Sequence, residues 1–190
     1  YTAHDIAFTP DGVAWVATPD GICRQRGDFW ETIAGVEGPV SNAITALATD
    51  ARGSLWAGSA AGLSRFDGET WTIQEPRKIE EVNCIGADKN GMVWAGLGGG
   101  KNLWRYDGNA WKKIGQKDGL NLSTTYSVLA LTFASGSGMV FSIFDEALDR
   151  GAPWKIVFQY PISWFIMTSA AGEIVSLAVT SNGALWYASR

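Results

Sequence analysis

Histidine and cysteine are scarce in this sequence. Its 190 residues include one histidine, His4, and two cysteines, Cys23 and Cys84. A metal site would therefore lack the usual cluster of imidazoles, and a Ser–His–Asp triad would have to form around a residue near the chain start. The two cysteines lie far apart in the sequence, and we expect no disulfide between them, which leaves the redox compartment open.

Long apolar runs and concentrated positive charge are also missing. The most apolar segment, Trp154 to Ala171, is interrupted by polar residues and a proline. No stretch thus reaches the roughly 18–20 apolar residues that a membrane helix needs. The net charge is −4, and the 15 lysines and arginines are scattered. We therefore expect no nucleic acid partner and no direct membrane insertion.

Glycine and tryptophan, by contrast, are abundant, with 23 and 10 copies, and they recur in register. Five anchor glycines are each followed three residues later by a large aromatic residue: Gly12 by Trp15, Gly53 by Trp56, Gly91 by Trp94, Gly138 by Phe141 and Gly183 by Trp186. The anchors lie 41, 38, 47 and 45 residues apart, and the first four are followed by a second tryptophan: Trp30, Trp71, Trp111 and Trp154. A period of about 40–45 residues with one Gly–aromatic signature per unit is typical of a β-propeller.

The second copy of the repeat shows how one unit is expected to fold. Its predicted strands are Ala43–Thr49, Ser54–Ser59, Leu63–Phe66 and Thr70–Ile73. They alternate small or apolar residues with polar ones, and Asp and Gly stand at the turns between them. Four antiparallel strands joined by short turns make one propeller blade.

The same pattern predicts four blades and a half blade, 18 strands in all, at about residues 5–33, 43–73, 82–114, 127–159 and 173–189. In the fourth copy the predicted strands are Ser127–Phe133, Gly138–Phe144, Ala147–Arg150 and Trp154–Gln159. The predicted fold class is all-β, a single propeller domain of four-stranded antiparallel blades. Because a half blade leaves an exposed strand edge, we expect completion of the propeller by further residues or by another chain.

The repeat resembles the two-component regulator propeller repeat. The resemblance is carried by GSLWAGSAAGLSRFDGETW at 53–71, by the matching segments Gly91–Gly108 and Gly12–Ile22, and by the connection Gly38–Thr45. It implies an extracytoplasmic sensor region that binds a ligand, often a saccharide, ahead of a membrane-spanning signalling part; other members are secreted or surface proteins. The segment Thr9–Trp15 is also similar to streptogramin (virginiamycin B) lyase propellers, which use a histidine in catalysis.

Most recurring polar and aromatic residues are expected to be structural. Five aspartates stand at predicted turns, where a carboxylate accepts backbone hydrogen bonds, so we favour capping over calcium binding or catalysis for Asp11, Asp50, Asp67, Asp88 and Asp107. The tryptophans should pack between blades or cover the blade rim rather than form a carbohydrate platform. No helix is predicted after Gly98–Lys101, so we expect a widened loop on the ligand face rather than a phosphate loop.

Residues that depart from the repeat are the candidate ligand-binding residues: Lys101, Asn102, Trp104, Asp145, Glu146 and Trp164. The first two belong to an inserted loop, and Trp104 follows it. Asp145 and Glu146 replace small turn residues of the other copies, and paired acids can also perform acid–base work. Trp164 lies in an irregular segment predicted to connect two blades.

The predicted function is recognition without catalysis. We expect a periplasmic or extracellular propeller that binds a small molecule, a saccharide or a protein, with no cofactor and no metal. One alternative is a structural scaffold subunit of a surface or membrane-associated assembly, docked through the apolar segment Trp164–Met167. Another is a propeller enzyme of the lyase or glycosidase type.

Overall fold

The computed structural model describes residues 2–35, 38–74, 81–98, 103–118, 120, 126–133, 139–145, 154–160, 163–168, 174–179 and 185–189. From residue 140 onward, and at Tyr126, the description covers the backbone alone. Within these ranges the chain forms eighteen strands and one 3₁₀ turn, Gln116–Asp118. The described part of the chain holds no helix with the length and apolarity needed to cross a membrane.

The first three copies of the repeat each form a four-stranded antiparallel sheet whose strands pair in chain order. Copy one contains β1 (Asp5–Phe8), β2 (Ala14–Thr18), β3 (Gly21–Arg26) and β4 (Phe29–Ile33); copy two contains β5 (Ile44–Thr49), β6 (Leu55–Ser59), β7 (Gly62–Phe66) and β8 (Trp71–Ile73); copy three contains β9 (Val82–Ala87), β10 (Val93–Leu97), β11 (Leu103–Tyr106) and β12 (Trp111–Ile114). The strands predicted for copy two are confirmed to within one residue at every end.

The anchor glycines recur because the turn between the first and second strand of a blade needs a left-handed backbone. Gly12, Gly53 and Gly91 have φ values of +83°, +87° and +79°. Residues with a Cβ are disfavoured in this region, whereas glycine adopts it readily. The repeat period visible in the sequence therefore marks one tight turn per blade.

Copy four also forms a four-stranded sheet, but two of its strands differ from the prediction. Its strands are β13 (Tyr126–Phe133), β14 (Met139–Asp145), β15 (Trp154–Tyr160) and β16 (Ser163–Thr168). Because β15 pairs with both β14 and β16, it is the third strand of the blade, and its prediction as the outer strand was wrong. The outer strand is the segment that contains Trp164, predicted as a connection. The predicted strand Ala147–Arg150 lies outside the described residues.

Copy five contributes the antiparallel pair β17 (Ile174–Val179) and β18 (Leu185–Ser189). The inner strands β1, β5, β9, β13 and β17 contact one another in that order, so the blades follow each other around a common side. This is the arrangement of a β-propeller, and the predicted all-β fold is confirmed.

The core consists of layers between successive blades rather than one central cluster. On copy one, the face toward copy two carries Trp15, Ala17 and Ile22, which pack against Leu55 and Phe66 of copy two. We call the side of a blade that packs on the next copy its forward face, and the opposite side its rear face. Copies two and three, and copies three and four, form equivalent forward-to-rear layers.

Candidate functional site

The turn aspartate of copy two holds the turn and the buried tryptophan together. Asp50 is buried, and its Oδ1 accepts hydrogen bonds from the backbone amides of Arg52 at 2.9 Å and Ser54 at 3.0 Å. Its Oδ2 accepts a hydrogen bond from Trp56 Nε1 at 2.9 Å. All of these contacts are internal to the blade, so Asp50 is structural, as predicted.

The other turn aspartates cap backbone amides in the same way. Asp67, Asp88 and Asp107 each accept hydrogen bonds from two backbone amides, and Asp11 accepts one at 3.3 Å. These amide hydrogen bonds hold the pKa of Asp67 and of Asp107 below its ordinary value. The predicted capping role is thereby confirmed.

Tryptophans on the second strand are buried between blades, which confirms their predicted packing role. The ring centroid of Trp56 lies 5.3 Å from that of Tyr106 and 5.8 Å from that of Trp111, both in copy three. An arginine on the third strand lies over each of these indoles, at 5.3 Å for Arg24 on Trp15 and at 5.6 Å for both Arg65 on Trp56 and Arg105 on Trp94. Such tilted and cation–π contacts stabilise a layer beyond simple burial.

Polar side chains that remain for ligand contact lie where the inner strands begin. Asp5, at the start of β1, pairs with Ala17 near the end of β2. The start of the inner strand and the turn between the second and third strands therefore share one edge of the blade, as predicted. We call His4, Asp5, Thr45, Glu81 and Asn83 on this edge the inner-strand rim.

A β-bulge in two of the inner strands aims a rim side chain at the next blade. In copies two and three the strand register skips Thr45 and Asn83. Bulges re-aim side chains in this manner. The Thr45 hydroxyl reaches the carbonyl of Val82, and Asn83 Nδ2 donates to the carbonyl of Val128 at 3.0 Å.

His4 continues this series in copy one. Its Nδ1 lies 2.8 Å from the carbonyl oxygen of Ile44. Because a carbonyl only accepts, Nδ1 carries the proton of this hydrogen bond, and Nε2 is the ring atom that can meet a ligand. The imidazole is exposed, so a fixed ring presents that nitrogen to solvent at the rim.

Asp5 joins copy one to copy two from a half-buried position. Its Oδ2 accepts a hydrogen bond from the Leu47 amide and its Oδ1 from the Ile6 amide, both at 2.8 Å. Burial raises the pKa of this carboxyl, and the two amide hydrogen bonds offset only part of that rise. The carboxylate is therefore an ordered but energetically costly charge.

Glu81 is the one non-glycine residue among those described with a left-handed backbone, at φ +52°. Its amide donates to the carbonyl of Ala60 at 3.3 Å, and its carbonyl accepts from the amide of Gly98 at 2.9 Å. A Cβ on Gly98 would lie 3.1 Å from Asn83 Nδ2, so the start of the inserted loop is packed against the rim. Hydrogen bonds to copies two and three thus fix the backbone of Glu81, whose side chain is exposed.

The described residues among the predicted ligand-binding residues lie on three different strands. Trp104 lies on β11, half-buried, and packs against the layer between copies two and three. Asp145 ends β14 opposite Tyr126, and Trp164 pairs with Gln159 within β16. Lys101, Asn102 and Glu146 lie outside the described residues. The ligand-binding role of all six stays a prediction.

Sequence analysis missed the polar residues that reach the next blade. His4, Thr45 and Asn83 each lie three residues before the inner-strand residue that faces the second-strand tryptophan, namely Ala7, Ala48 and Gly86. The three side chains are chemically different, so residue identity did not reveal the series. A polar residue at a fixed distance from the anchor is the signal that could have found it. Among the described residues, no group of three or more His, Cys, Asp or Glu could hold a metal ion.

Strand order, blade packing and the bulged inner strands together define a β-propeller. No protein-family model matches the chain, and no curated protein sequence matches it. Solved structures of the same fold do match the chain. The extracellular domain of the hybrid two-component system BT3049 from B. thetaiotaomicron superposes with a TM-score of 0.77 at 13% identity, over 97% of this chain and 26% of that one.

Two further structures extend the comparison. The extracellular domain of the one-component system BT4673, also from B. thetaiotaomicron, gives a TM-score of 0.72 at 18% identity over 97% of this chain and 25% of its own. The gluconolactonase XC5397 from Xanthomonas campestris gives a TM-score of 0.67 at 12% identity, over 98% of this chain and 69% of its own. The chain thus spans about a quarter of the length of these two extracellular-domain structures. At these identities the likeness establishes the propeller fold.

Proposed function

We propose that this chain is a non-enzymatic recognition propeller, or part of one, that works outside the cytoplasm and binds its ligand at the inner-strand rim. One observation carries the proposal: polar rim residues reach solvent from positions that hydrogen bonds fix. The imidazole of His4 is fixed by the carbonyl of Ile44 in the next blade, and the backbone of Glu81 is fixed by Ala60 and Gly98.

Such a rim is suited to binding because the His4 ring is ordered before a ligand arrives. Ordering side chains on association costs about 0.5–1.5 kcal/mol for each one immobilised, and His4 has already met that cost in folding. Imidazole Nε2 and the Glu81 carboxylate are acceptors for hydroxyl and amide donors, which a saccharide or a polar protein segment supplies. A location outside the cytoplasm is supported by the two neighbours that are extracellular domains.

Binding can be tested with defined probes. The purified chain would be applied to an oligosaccharide array and a peptide array, and each hit would be measured by titration calorimetry. Glu81→Gln removes a charged acceptor and should weaken binding about tenfold, since hydrogen bonds to charged groups contribute about 1.5–3 kcal/mol. Glu69→Gln is the matched control, because Glu69 is an exposed carboxylate in the turn between β7 and β8, on the opposite edge.

Two results would contradict this proposal. Equal weakening by Glu69→Gln and Glu81→Gln would show that the rim is not the site. Hydrolysis of gluconolactone by the chain, lost in His4→Ala, would replace recognition with catalysis, an activity that the name of one structural neighbour makes worth measuring.

A further inference from the structure

The rear face of copy one is apolar and exposed, unlike the same face of copies two and three. Ile6 is 53% exposed, whereas its equivalents Leu47 and Ile85 are 4% and 7% exposed. Trp30 is 52% exposed, whereas its equivalent Trp71 is half-buried between copies one and two. The residue types are alike in these copies, so the difference is that a neighbouring blade covers the face in copies two and three.

Strand register shows that these side chains form one surface. Ile6 pairs with Val16, and Val16 pairs with Cys23, so the three share one side of the sheet. Gln25 pairs with Trp30 and lies two residues from Cys23 on the same strand, so both belong to this side. The set contains no Asp, Glu, Lys, Arg or His residue. An uncharged, mostly apolar sheet face of this kind is typical of a surface that another element covers.

We propose that the rear face of copy one is a blade–blade interface, and that its partner is a further four-stranded blade of this repeat type. That blade would carry a tryptophan on its second strand and an arginine on its third. Continuity with the established layers supports this partner, since Trp15 meets Phe66 and Trp56 meets Tyr106 in those layers. On copy one, Gln25 occupies the position of Phe66, which leaves Trp30 as the aromatic group that receives the incoming indole.

Cys23 supplies a native reporter at the centre of this face. It is a free thiol, half-buried, and its Sγ lies 3.5 Å from Thr32 Oγ1. The other thiol, Cys84, is buried, and burial raises its pKa far above the ordinary value for a cysteine. Maleimide should therefore label Cys23 rapidly in the isolated 190-residue chain, while Cys84 reacts only on unfolding.

The test compares this chain with the protein isolated from cells that produce it naturally. We expect Cys23 labelling to be at least about tenfold slower in the natural protein, because labelling must then wait for the interface to open. In the same cells, Trp30→p-benzoylphenylalanine should cross-link on irradiation to a peptide with the Gly–x–x–Trp signature that lies outside residues 1–190. Phe29→p-benzoylphenylalanine is the matched control, since Phe29 is 64% exposed but pairs with Arg26 on the forward side.

Both results are required for the proposal to stand. Unchanged labelling of Cys23 would show that the face is open in the natural protein. A cross-link to residues 1–190 of another molecule would identify a second copy as the partner, and a cross-linked peptide without the signature would identify a different kind of protein. Each of these outcomes, or the same cross-link from Phe29, overturns the proposal.

Discussion

Copies two and four build the same blade with different contacts at the second strand. In copy two, Trp56 donates to Asp50 and lies beneath Arg65. In copy four, the register places Phe141 opposite Val157, so the aromatic residue has neither an indole N–H nor an arginine partner across the strand. The sheet forms in both copies, so a four-stranded blade does not require a tryptophan and its arginine partner on the second and third strands.

The two copies also differ at the inner strand. Thr45 and Asn83 are polar at their bulges, and each reaches a carbonyl of the following blade. In copy four the register skips Leu129, an apolar residue. Copy five keeps Trp186 on its second strand, yet its register also skips an apolar residue, Val175. A tryptophan on the second strand therefore does not require a polar residue at the bulge.

Removal of Trp56 should be the most damaging single change in this comparison. The side chain is fully buried. Trp56→Ala should lower the free energy of unfolding by about 3–5 kcal/mol, because it leaves a cavity and removes the contacts of Asp50 and Arg65 with the indole. Trp30→Ala, on the exposed face, should cost less than about 1 kcal/mol. Urea unfolding followed by circular dichroism measures both, and equal losses would contradict the layer arrangement.

Asp50 and Asp88 should separate the role of the turn from the role of the tryptophan. Asp50→Ala leaves two backbone amides and Trp56 Nε1 without an acceptor, and we expect the free energy of unfolding to fall by about 2–4 kcal/mol. Asp88→Ala leaves only two backbone amides without an acceptor, because Trp94 Nε1 has no hydrogen-bond partner among the described residues. Its cost should be smaller by about 1 kcal/mol. The same chemical denaturation measures the difference, and a larger loss from Asp88→Ala would contradict this account.

The repeat could be predicted from sequence because each blade requires the same local chemistry. A left-handed turn selects glycine, and a layer between blades selects a large aromatic residue, so Gly53 and Trp56 reveal both. The error in copy four arose from the same rule. Trp154 follows its anchor at the usual spacing, but β15 pairs on both edges and so is the third strand. Strand order depends on pairing partners, which residue spacing does not encode.

The rim was harder to predict than the fold. Loop composition directed attention to the inserted segment after Gly98, and the structure places the start of that segment against Asn83 and Glu81. The predicted loop and the proposed rim therefore lie on the same edge of the blade. Glu81 itself gave no signal, since its left-handed backbone results from hydrogen bonds to Ala60 and Gly98 in two different blades.

Asn83 provides a smaller test of the contrast between polar and apolar bulges. Asn83→Ala removes the hydrogen bond to the carbonyl of Val128, and the expected loss of stability is about 1 kcal/mol. Native-state hydrogen exchange should show faster exchange in β13, which loses its contact, than in β5, which does not. Asn109→Ala is the control, because Asn109 is exposed in a turn at the other edge. Uniform acceleration across all blades would show that the bulge contact is not local.

The pH dependence of Asp5 should be the smallest of these effects. Its pKa is raised from 3.8 in the folded protein, so the native state binds the proton more tightly than the unfolded chain does. This contribution to stability is fully present below the unfolded pKa and is lost as pH rises through the folded pKa. The stability of the natural sequence relative to Asp5→Asn should therefore fall as pH rises above 3.8. Asp67, whose pKa is lowered by backbone hydrogen bonds, should show the opposite trend in Asp67→Asn, and urea midpoints measured across this pH range would reveal both signs. If Asp5→Asn instead showed the trend expected for Asp67→Asn, the two amide hydrogen bonds to Asp5 would outweigh the effect of its burial, and the account of a raised pKa at this half-buried link between copies one and two would be wrong.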